Sequence, residues 1–158
     1  MPAAASRIRP PFARLGTALA LLASAASAAC GAGGRSASDR LPGRFRLIQK
    51  DRFQALYGPD GGIQRLLEDR DRDGRADAVI VYRPGGKPQR GELDTDGDGR
   101  VDRWEHLRLD GTLETLGTSR ARSGRPDLWE HSTTDGRVHQ RDLDDDGDGR
   151  PDRTEYPQ

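Results

Sequence analysis

Two acidic segments place carboxylates at the spacing that binds a hard metal ion. Segments LDTDGDGRVDRWE (93–105) and LDDDGDGRPDRTE (143–155) each contain a twelve-residue loop, 94–105 and 144–155. Acids stand at loop positions one, three, five, nine and twelve, with glycine at position six. Calcium binds six to eight oxygens, and alternate residues of a tight loop face a common centre. A cation would also remove the repulsion among the acids, so we expect Ca²⁺ in both loops.

The predicted calcium ligands follow from this pattern, with a backbone carbonyl at position seven and a bidentate acid at position twelve. They are Asp94, Asp96, Asp98, Arg100, Asp102 and Glu105 in one loop, and Asp144, Asp146, Asp148, Arg150, Asp152 and Glu155 in the other. Loop 69–77 keeps its aspartates, but Ile80 takes the twelfth position, so weaker binding is expected. Its ligands are Asp69, Asp71, Asp73, Arg75 and Asp77. The alternative, aspartates that only cap turns, explains one or two acids per loop but not the full pattern twice.

A further loop, 119–130, has lost most of these donors. It keeps the central glycine, Asp127 and Glu130, but has no acid at positions one, three and five. We expect its bend to survive without metal. Arg120 or Arg122 would then replace the ion by pairing with one of the two remaining acids.

The loops belong to a 25-residue repeat. One glycine recurs at this interval, at Gly74, Gly99, Gly124 and Gly149. Turn dipeptides keep the same period, at 60–61, 85–86, 110–111 and 135–136. Asp-Gly between short runs of β-branched and aromatic residues predicts a hairpin with a two-residue turn. The predicted fold is therefore all-β, an array of antiparallel hairpins at about 53–67, 78–93, 103–118 and 128–143, with a final strand at 153–156.

Each hairpin alone would be marginally stable, so neighbouring hairpins must share a thin apolar core. The core candidates are Phe53, Leu56, Tyr57, Ile63, Leu67, Val79, Val81, Tyr82, Trp104, Leu107, Leu113, Trp129, Val138 and Tyr156.

The first 29 residues have the composition of an export signal. Three arginines precede the apolar run 15–29, which is shorter than the ~20 residues of a membrane-spanning helix. Cys30, the only cysteine, follows this run directly. Its position resembles the lipobox of bacterial lipoproteins, in which the cysteine is acylated, although Ser27 replaces the usual leucine. The alternative is cleavage by an ordinary signal peptidase, which would leave a secreted protein.

The lipoprotein resemblance implies a bacterial envelope protein attached to the membrane through lipidated Cys30. Gly31 follows the cysteine, which by analogy with enteric lipoproteins favours the outer membrane, on its periplasmic or surface face. Residues 30–43, rich in glycine and serine, predict a flexible tether. The repeat domain is then 44–158.

The loops themselves are similar to the EF-hand-like DxDxDG calcium loops of bacterial surface proteins, and more distantly to thrombospondin type 3 repeats. The similarity covers residues 69–156. The helices that flank an EF-hand are not predicted here, because a turn dipeptide follows five residues after Glu105. The resemblance implies calcium binding with a structural role.

Other function classes have weaker support. Without residues 1–29 the net charge is −3, and acids and bases alternate, so nucleic-acid binding is not expected. No enzyme motif is present. His106 and His131 share a repeat position, and His139 is expected on the opposite face, which disfavours a three-histidine metal site. We expect a calcium-binding structural, adhesive or interaction protein. The alternative is an inhibitor or glycan-binding module on the hairpin surface, and a protein or glycan partner fits either.

Overall fold

The structure, a computed structural model, describes residues 44–158, so the predicted signal 1–29, Cys30 and the tether 30–43 lie outside it. Ten β-strands form one antiparallel sheet in sequence order, which confirms the predicted all-β hairpin array. No helix in this part of the chain is long and apolar enough to cross a membrane. The strands are β1 (Arg46–Lys50), β2 (Phe53–Tyr57), β3 (Ile63–Glu68), β4 (Ala78–Tyr82), β5 (Pro88–Leu93), β6 (Arg103–Leu107), β7 (Leu113–Thr118), β8 (Leu128–Ser132), β9 (Val138–Leu143) and β10 (Arg153–Glu155).

Strand β1 is an addition to the sequence-based prediction. It pairs along its whole length with β2, so Ile48 lies opposite Ala55. Asp51, in the connection between the two strands, has a φ of 55°, a left-handed conformation that Asp tolerates better than most residues.

The repeat hairpins close through five residues, so the predicted two-residue turn is wrong. In the third hairpin the N–H of Arg108 donates to the C=O of Thr112 (2.9 Å), and the N–H of Gly111 donates to the C=O of Arg108 (3.0 Å). Gly111 has a φ of 86°, whereas Asp110 does not have a positive φ. This is a type I turn followed by a glycine bulge. Asp suits the right-handed part of such a turn, and only glycine adopts the left-handed position at low cost.

The fully buried side chains lie on one face of the sheet. The strand register puts Ala55, Leu66, Ile80, Glu105 and Leu116 in one row, with Gly91 between Ile80 and Glu105. All five are at most 4% exposed. The apolar residues of this row belong to two clusters. One contains Ala55, Ile63, Leu66, Ile80 and Tyr82. The other contains Leu107, Leu113 and Leu116.

The predicted core was partly wrong about the face that is buried. Leu66 and Ile80 are buried, whereas the predicted Leu67 and Val79 lie half-buried on the opposite face. A strand alternates faces at every residue, so an error of one position exchanges the two sides. Tyr156 is 71% exposed and lies outside the core.

Two arginines, Arg83 and Arg108, each join one hairpin to the next. Arg83 donates from Nη1 to the carbonyl of Pro88 (3.0 Å) and from Nη2 to the carbonyl of Leu107 in the following hairpin (2.7 Å). Arg108, 25 residues later, makes the equivalent bonds to the carbonyls of Leu113 and Ser132. Each guanidinium therefore satisfies carbonyls at the turn end of two hairpins.

Candidate metal centres

The four acidic loops follow strands β3, β5, β7 and β9, so all four lie at the end of the sheet opposite the turns. Each loop is bonded to the one before it. The N–H of Asp94 donates to the carbonyl of Asp77 (2.8 Å), and the N–H of Asp144 donates to the carbonyl of Asp127 (3.1 Å). Consecutive loops therefore have a fixed spacing.

The first aspartate of loop 94–105 organises the loop backbone. Asp94 is 4% exposed, and its two carboxylate oxygens accept the N–H groups of Gly97 and Gly99, each at 2.7 Å. Both glycines have a positive φ, 77° and 82°, which a residue with a side chain would adopt only at a cost. Asp144 makes the same pair of bonds in loop 144–155, at 2.7 and 2.8 Å.

Three acidic triads could each hold a metal ion. Within each triad, one carboxylate oxygen from every residue lies within 4.8 Å of the others. The triads contain the first, third and ninth loop positions, Asp69, Asp71 and Asp77, then Asp94, Asp96 and Asp102, then Asp144, Asp146 and Asp152. Three carboxylates at this separation repel one another, and a cation between them would stabilise the arrangement. The sequence predicted all nine residues.

The triads do not include the predicted ligands at positions five and seven. Asp98 accepts the N–H of Arg100 at 2.8 Å, and Asp148 accepts the N–H of Arg150 at the same distance. The equivalent bond in loop 69–77, from Arg75 to Asp73, is 2.7 Å. These residues shape the loop, and their role as ligands stays a prediction.

The acids at position twelve lie in strands, outside the triads. Glu105 is fully buried in β6, where its Oε1 accepts from Nε of Arg103 (2.7 Å) and its Oε2 has no hydrogen-bond partner. Burial raises the pKa of Glu105, and the charge and hydrogen bond of Arg103 oppose that rise. Glu155 pairs with Arg153 in β10. In this conformation each of the two acids is paired with an arginine of its own strand.

Loop 69–77 differs at its fourth position. Arg72 stands there with a φ of 67° and pairs with Asp51 at 2.6 Å. Asp69 accepts one loop N–H, from Gly74 (3.1 Å), and its other oxygen, Oδ1, is buried without a hydrogen-bond partner. A buried carboxylate oxygen without a donor is suited to a metal ion. Ile80, at position twelve, lies in the apolar core.

Loop 119–130 contains the expected arginine. Nε of Arg120 lies 2.9 Å from Oδ1 of Asp127, and its Nη2 donates to the backbone carbonyl of the same residue (3.0 Å). The N–H groups of Arg120 and Ala121 donate to the two carboxylate oxygens of Asp127, at 3.0 and 2.8 Å. Of the predicted pairings of Arg120 or Arg122 with Asp127 or Glu130, the one between Arg120 and Asp127 is present. Glu130 pairs instead with Arg141 (2.9 Å).

Arg122 contacts the neighbouring aspartate triad, which the sequence did not predict. Its Nε lies 3.5 Å from Oδ2 of Asp96. Arg122 is at the fourth position of its loop and has a φ of 53°. Arg72 is at the same position of loop 69–77 and also has a positive φ. The alternation of Arg72, Gly97, Arg122 and Gly147 at this position was the available sequence signal.

The histidines do not form a metal site in this part of the chain. Thr115 separates His106 from His131 in the sheet register. His131 bonds to Asp142 at 2.8 Å. The ring centroid of His139 lies 6.5 Å from that of His131, so the expectation that His139 faces the other way is wrong. The bulge beside His131 pairs Ser132 with Val138 and leaves His139 as the extra residue.

Comparisons with known proteins place the chain in no family. No family model matches it, and no curated protein matches it. A TarM structure from S. aureus, in complex with fondaparinux, alpha-GlcNAc-glycerol and UDP, has 12% identity, covers 67% of this chain and 20% of its own, and has a TM-score of 0.49. A second TarM structure has 11% identity, coverages of 84% and 24%, and a TM-score of 0.49. Accessory secretory proteins 1, 2 and 3 of Streptococcus pneumoniae match at 12% identity, coverages of 71% and 19%, and a TM-score of 0.41. This chain thus spans less than a quarter of each neighbour, and likeness at this level carries no argument about function.

Proposed function

We propose that this protein binds calcium at its three aspartate triads and that the ions stabilise the hairpin sheet. The observation that carries the proposal is the convergence of three carboxylates in each triad. All the converging ligands are oxygens, which favours a hard cation over zinc or copper. Calcium fits the loops because backbone carbonyls and water complete its flexible coordination, whereas magnesium demands a strict octahedron.

Calcium should act on stability rather than on catalysis. The sheet buries few large apolar side chains, and each triad concentrates negative charge at one end of it. An ion present at about 100 times its dissociation constant adds about 2.7 kcal/mol per site. That is a large share of the stability of a small domain.

The test is a thermal melt of the full chain in calcium and in chelator. We expect calcium to raise the melting temperature of the parent. A variant with Asp71, Asp96 and Asp146 changed to Asn should lose the rise. The matched control changes Asp60, Asp110 and Asp135 to Asn, because these aspartates lie in the hairpin turns at the opposite end, and it should keep the rise. Equal melts of the parent with and without calcium would reject the proposal.

We further propose that the protein is an envelope lipoprotein attached through Cys30, with a structural, adhesive or interaction role. The apolar run that ends directly before Cys30 supports this location. Mass spectrometry of the protein from a bacterial membrane fraction should find Cys30 acylated, and Cys30→Ser should release the protein from membranes that are washed at high salt. An unmodified Cys30 in the mature chain would instead indicate secretion.

A glycan-binding surface is the second candidate. Gly117 pairs with Trp104 on one side and with Trp129 on the other. The ring of Trp104 and the side chain of Pro126 pack over Gly117 on the less buried face, and a sugar ring could stack beside them on the half-buried indole of Trp129. Glycan-array binding that is lost in Trp129→Ala would support this candidate, and an array without signal would reject it.

A further inference from the structure

The edge strand β1 and the two residues before it carry a local excess of positive charge. Residues 44–50, RFRLIQK, contain three bases and no acid. Residues 51–158 contain 18 bases and 25 acids, a net charge of −7. The segment 44–50 therefore differs in sign from the rest of the described chain, and it is the described part closest in sequence to Cys30.

The same segment exposes apolar side chains. Phe45 is 65% exposed, Leu47 62% and Ile48 38%. Only two other large apolar residues among 44–158 are similarly exposed, Leu109 and Tyr156. Three of these five side chains therefore lie within four consecutive residues. Single exposed apolar residues scattered over a surface would need no explanation, but such a cluster does.

The bases of this segment are available to a partner. Within residues 44–158, the bases Arg44, Arg46 and Lys50 form no ion pair, although Arg46 lies over the ring of Tyr57 at 5.8 Å. The neighbouring Arg52, in contrast, pairs with Glu68 at 2.8 Å. The positive charge of Arg52, two residues beyond β1, is thus neutralised, whereas the bases of residues 44–50 have no acidic partner within residues 44–158.

We propose that residues 44–50 form a lipid-docking edge that lies on an anionic bilayer surface. Arg46 and Lys50 lie on one face of the sheet and Leu47 on the other, so β1 would lie with its free edge on the bilayer. The bases would then contact lipid headgroups, and Phe45 and Leu47 would enter the interface between headgroups and acyl chains. Each base held near an anionic surface raises the partition constant about fivefold. A basic patch on anionic headgroups adds to the membrane binding that acyl chains supply. The inference draws on the proposed function only for placing the protein beside a membrane.

A second copy of the chain fits this edge less well. Antiparallel pairing of β1 with itself about Ile48 would place Arg46 opposite Lys50 twice, and like charges directly opposite are destabilising. Pairing with β10 of another copy would engage only Arg153–Glu155. Pro157 follows two residues after the end of β10, and short charged edges near proline resist strand addition.

Vesicle co-sedimentation of the full chain tests the proposal. Vesicles of phosphatidylcholine alone are compared with vesicles that also contain phosphatidylglycerol, in chelator so that the aspartate loops hold no calcium. We expect a stronger partition of the parent to the anionic vesicles, weakened by high salt. Changing Arg44, Arg46 and Lys50 to Ser should lower the partition to anionic vesicles about 100-fold, following the fivefold value per base. The matched control changes three exposed bases elsewhere, Arg65, Arg125 and Arg137, to Ser and should bind like the parent.

A second variant tests the apolar part of the edge. Phe45→Ser with Leu47→Ser should weaken the partition to both kinds of vesicle, since it removes apolar contact and keeps the charge. Circular dichroism checks that each variant is folded, and segment 15–30 is the same in all of them. Equal binding by the three-base variant and its control would overturn the proposal. The proposal would also be overturned if variants of residues 44–50 lost self-association, measured by sedimentation velocity, but kept their binding to vesicles. If calcium does not change the melting temperature of the parent but vesicle binding still depends on residues 44–50, only the calcium proposal is rejected.

Discussion

Loops 94–105 and 119–130 share one backbone path but contain different groups at its centre. In both, the ninth residue donates its N–H to a strand carbonyl, Asp102 to Leu93 (2.9 Å) and Asp127 to Thr118 (3.0 Å). In both, that residue accepts the N–H of the second residue. Only 94–105 adds acids at positions one and three. The bend therefore does not require those acids, and their presence in three loops points to a cation.

The largest difference between the two loops should appear at their first residue. Asp94→Ala removes the acceptor of two N–H groups, and Ser119→Ala removes the acceptor of one, from Ser123 (3.0 Å). We expect Asp94→Ala to lower the free energy of unfolding by about 2 kcal/mol in chelator, and by about 4 kcal/mol in saturating calcium. Ser119→Ala should cost about 1 kcal/mol in either condition. Urea unfolding measures both, and equal losses for the two variants would contradict the comparison.

Restoring the lost donors should convert the second loop into the first. One variant copies the first five residues of loop 94–105 into loop 119–130. Its changes are Ser119→Asp, Arg120→Thr, Ala121→Asp, Arg122→Gly and Ser123→Asp. We expect one additional calcium ion per chain by isothermal titration calorimetry. The calcium-dependent stabilisation should increase by about 2–3 kcal/mol at high occupancy. An unchanged stoichiometry would mean that convergent aspartates are insufficient for binding.

Removing the internal cation should destabilise the chain independently of calcium. Arg120→Ala leaves the carboxylate of Asp127 with its two backbone donors but without its guanidinium. Because this ion pair is partly exposed, we expect a loss of about 1 kcal/mol. The loss should be the same in calcium and in chelator, whereas Asp96→Asn should cost stability only in calcium. An Arg120→Ala loss that calcium restores would contradict the idea that arginine takes the place of the ion.

Lowering the pH should have opposite effects on the stability contributed by Asp127, at the ninth loop position, and by Glu105, at the twelfth. Burial opposes ionisation of Asp127, but the hydrogen bonds from Arg120 and Ala121 lower its pKa below 3.8. Its stabilising contribution is therefore present above pH 3.8 and lost as the pH falls further. Burial raises the pKa of Glu105 above 4.5, so its contribution is full below that pH and lost as the pH rises through the raised value. Unfolding free energies measured against pH in chelator should lose the first slope in Asp127→Asn and the second in Glu105→Gln.

The smallest effect should come from the arginine that reaches between the two loops. Arg122→Gly removes a positively charged neighbour of Asp96 and places glycine at a left-handed position. We expect calcium affinity at loop 94–105 to rise about twofold, because an exposed ion pair is worth less than about 1 kcal/mol. A titration in an Asp144→Asn background isolates that loop from its copy at 144–155. An affinity equal to the parent's would show that the 3.5 Å contact does not compete with the ion.

The sequence predicted the repeat, the hairpins and all nine triad aspartates, because glycine and aspartate spacing is a local property of the chain. It did not predict the bulge after His131, since a type I turn and a two-residue turn share the same Asp-Gly dipeptide. That one extra residue decides the face on which His139 lies. Glu105 was assigned to the loop by its spacing, yet the strand that begins at Arg103 carries it into the sheet. Which side of a strand is buried depends on neighbours that local spacing does not describe.

The bonds from Arg83 and Arg108 to the following hairpin have a consequence for how such a protein changes in length. Hairpins 78–93, 103–118 and 128–143 meet one another through the same contacts, each made by an arginine at one position of the 25-residue unit. Duplicating or deleting a whole unit would therefore create no new kind of interface. Internal duplication in a gene could then lengthen the array in steps, with each added pair of strands supplying its own turn, loop and attachment to the last. The surface area offered by the molecule would be a heritable variable, set by copy number rather than by redesign of the fold.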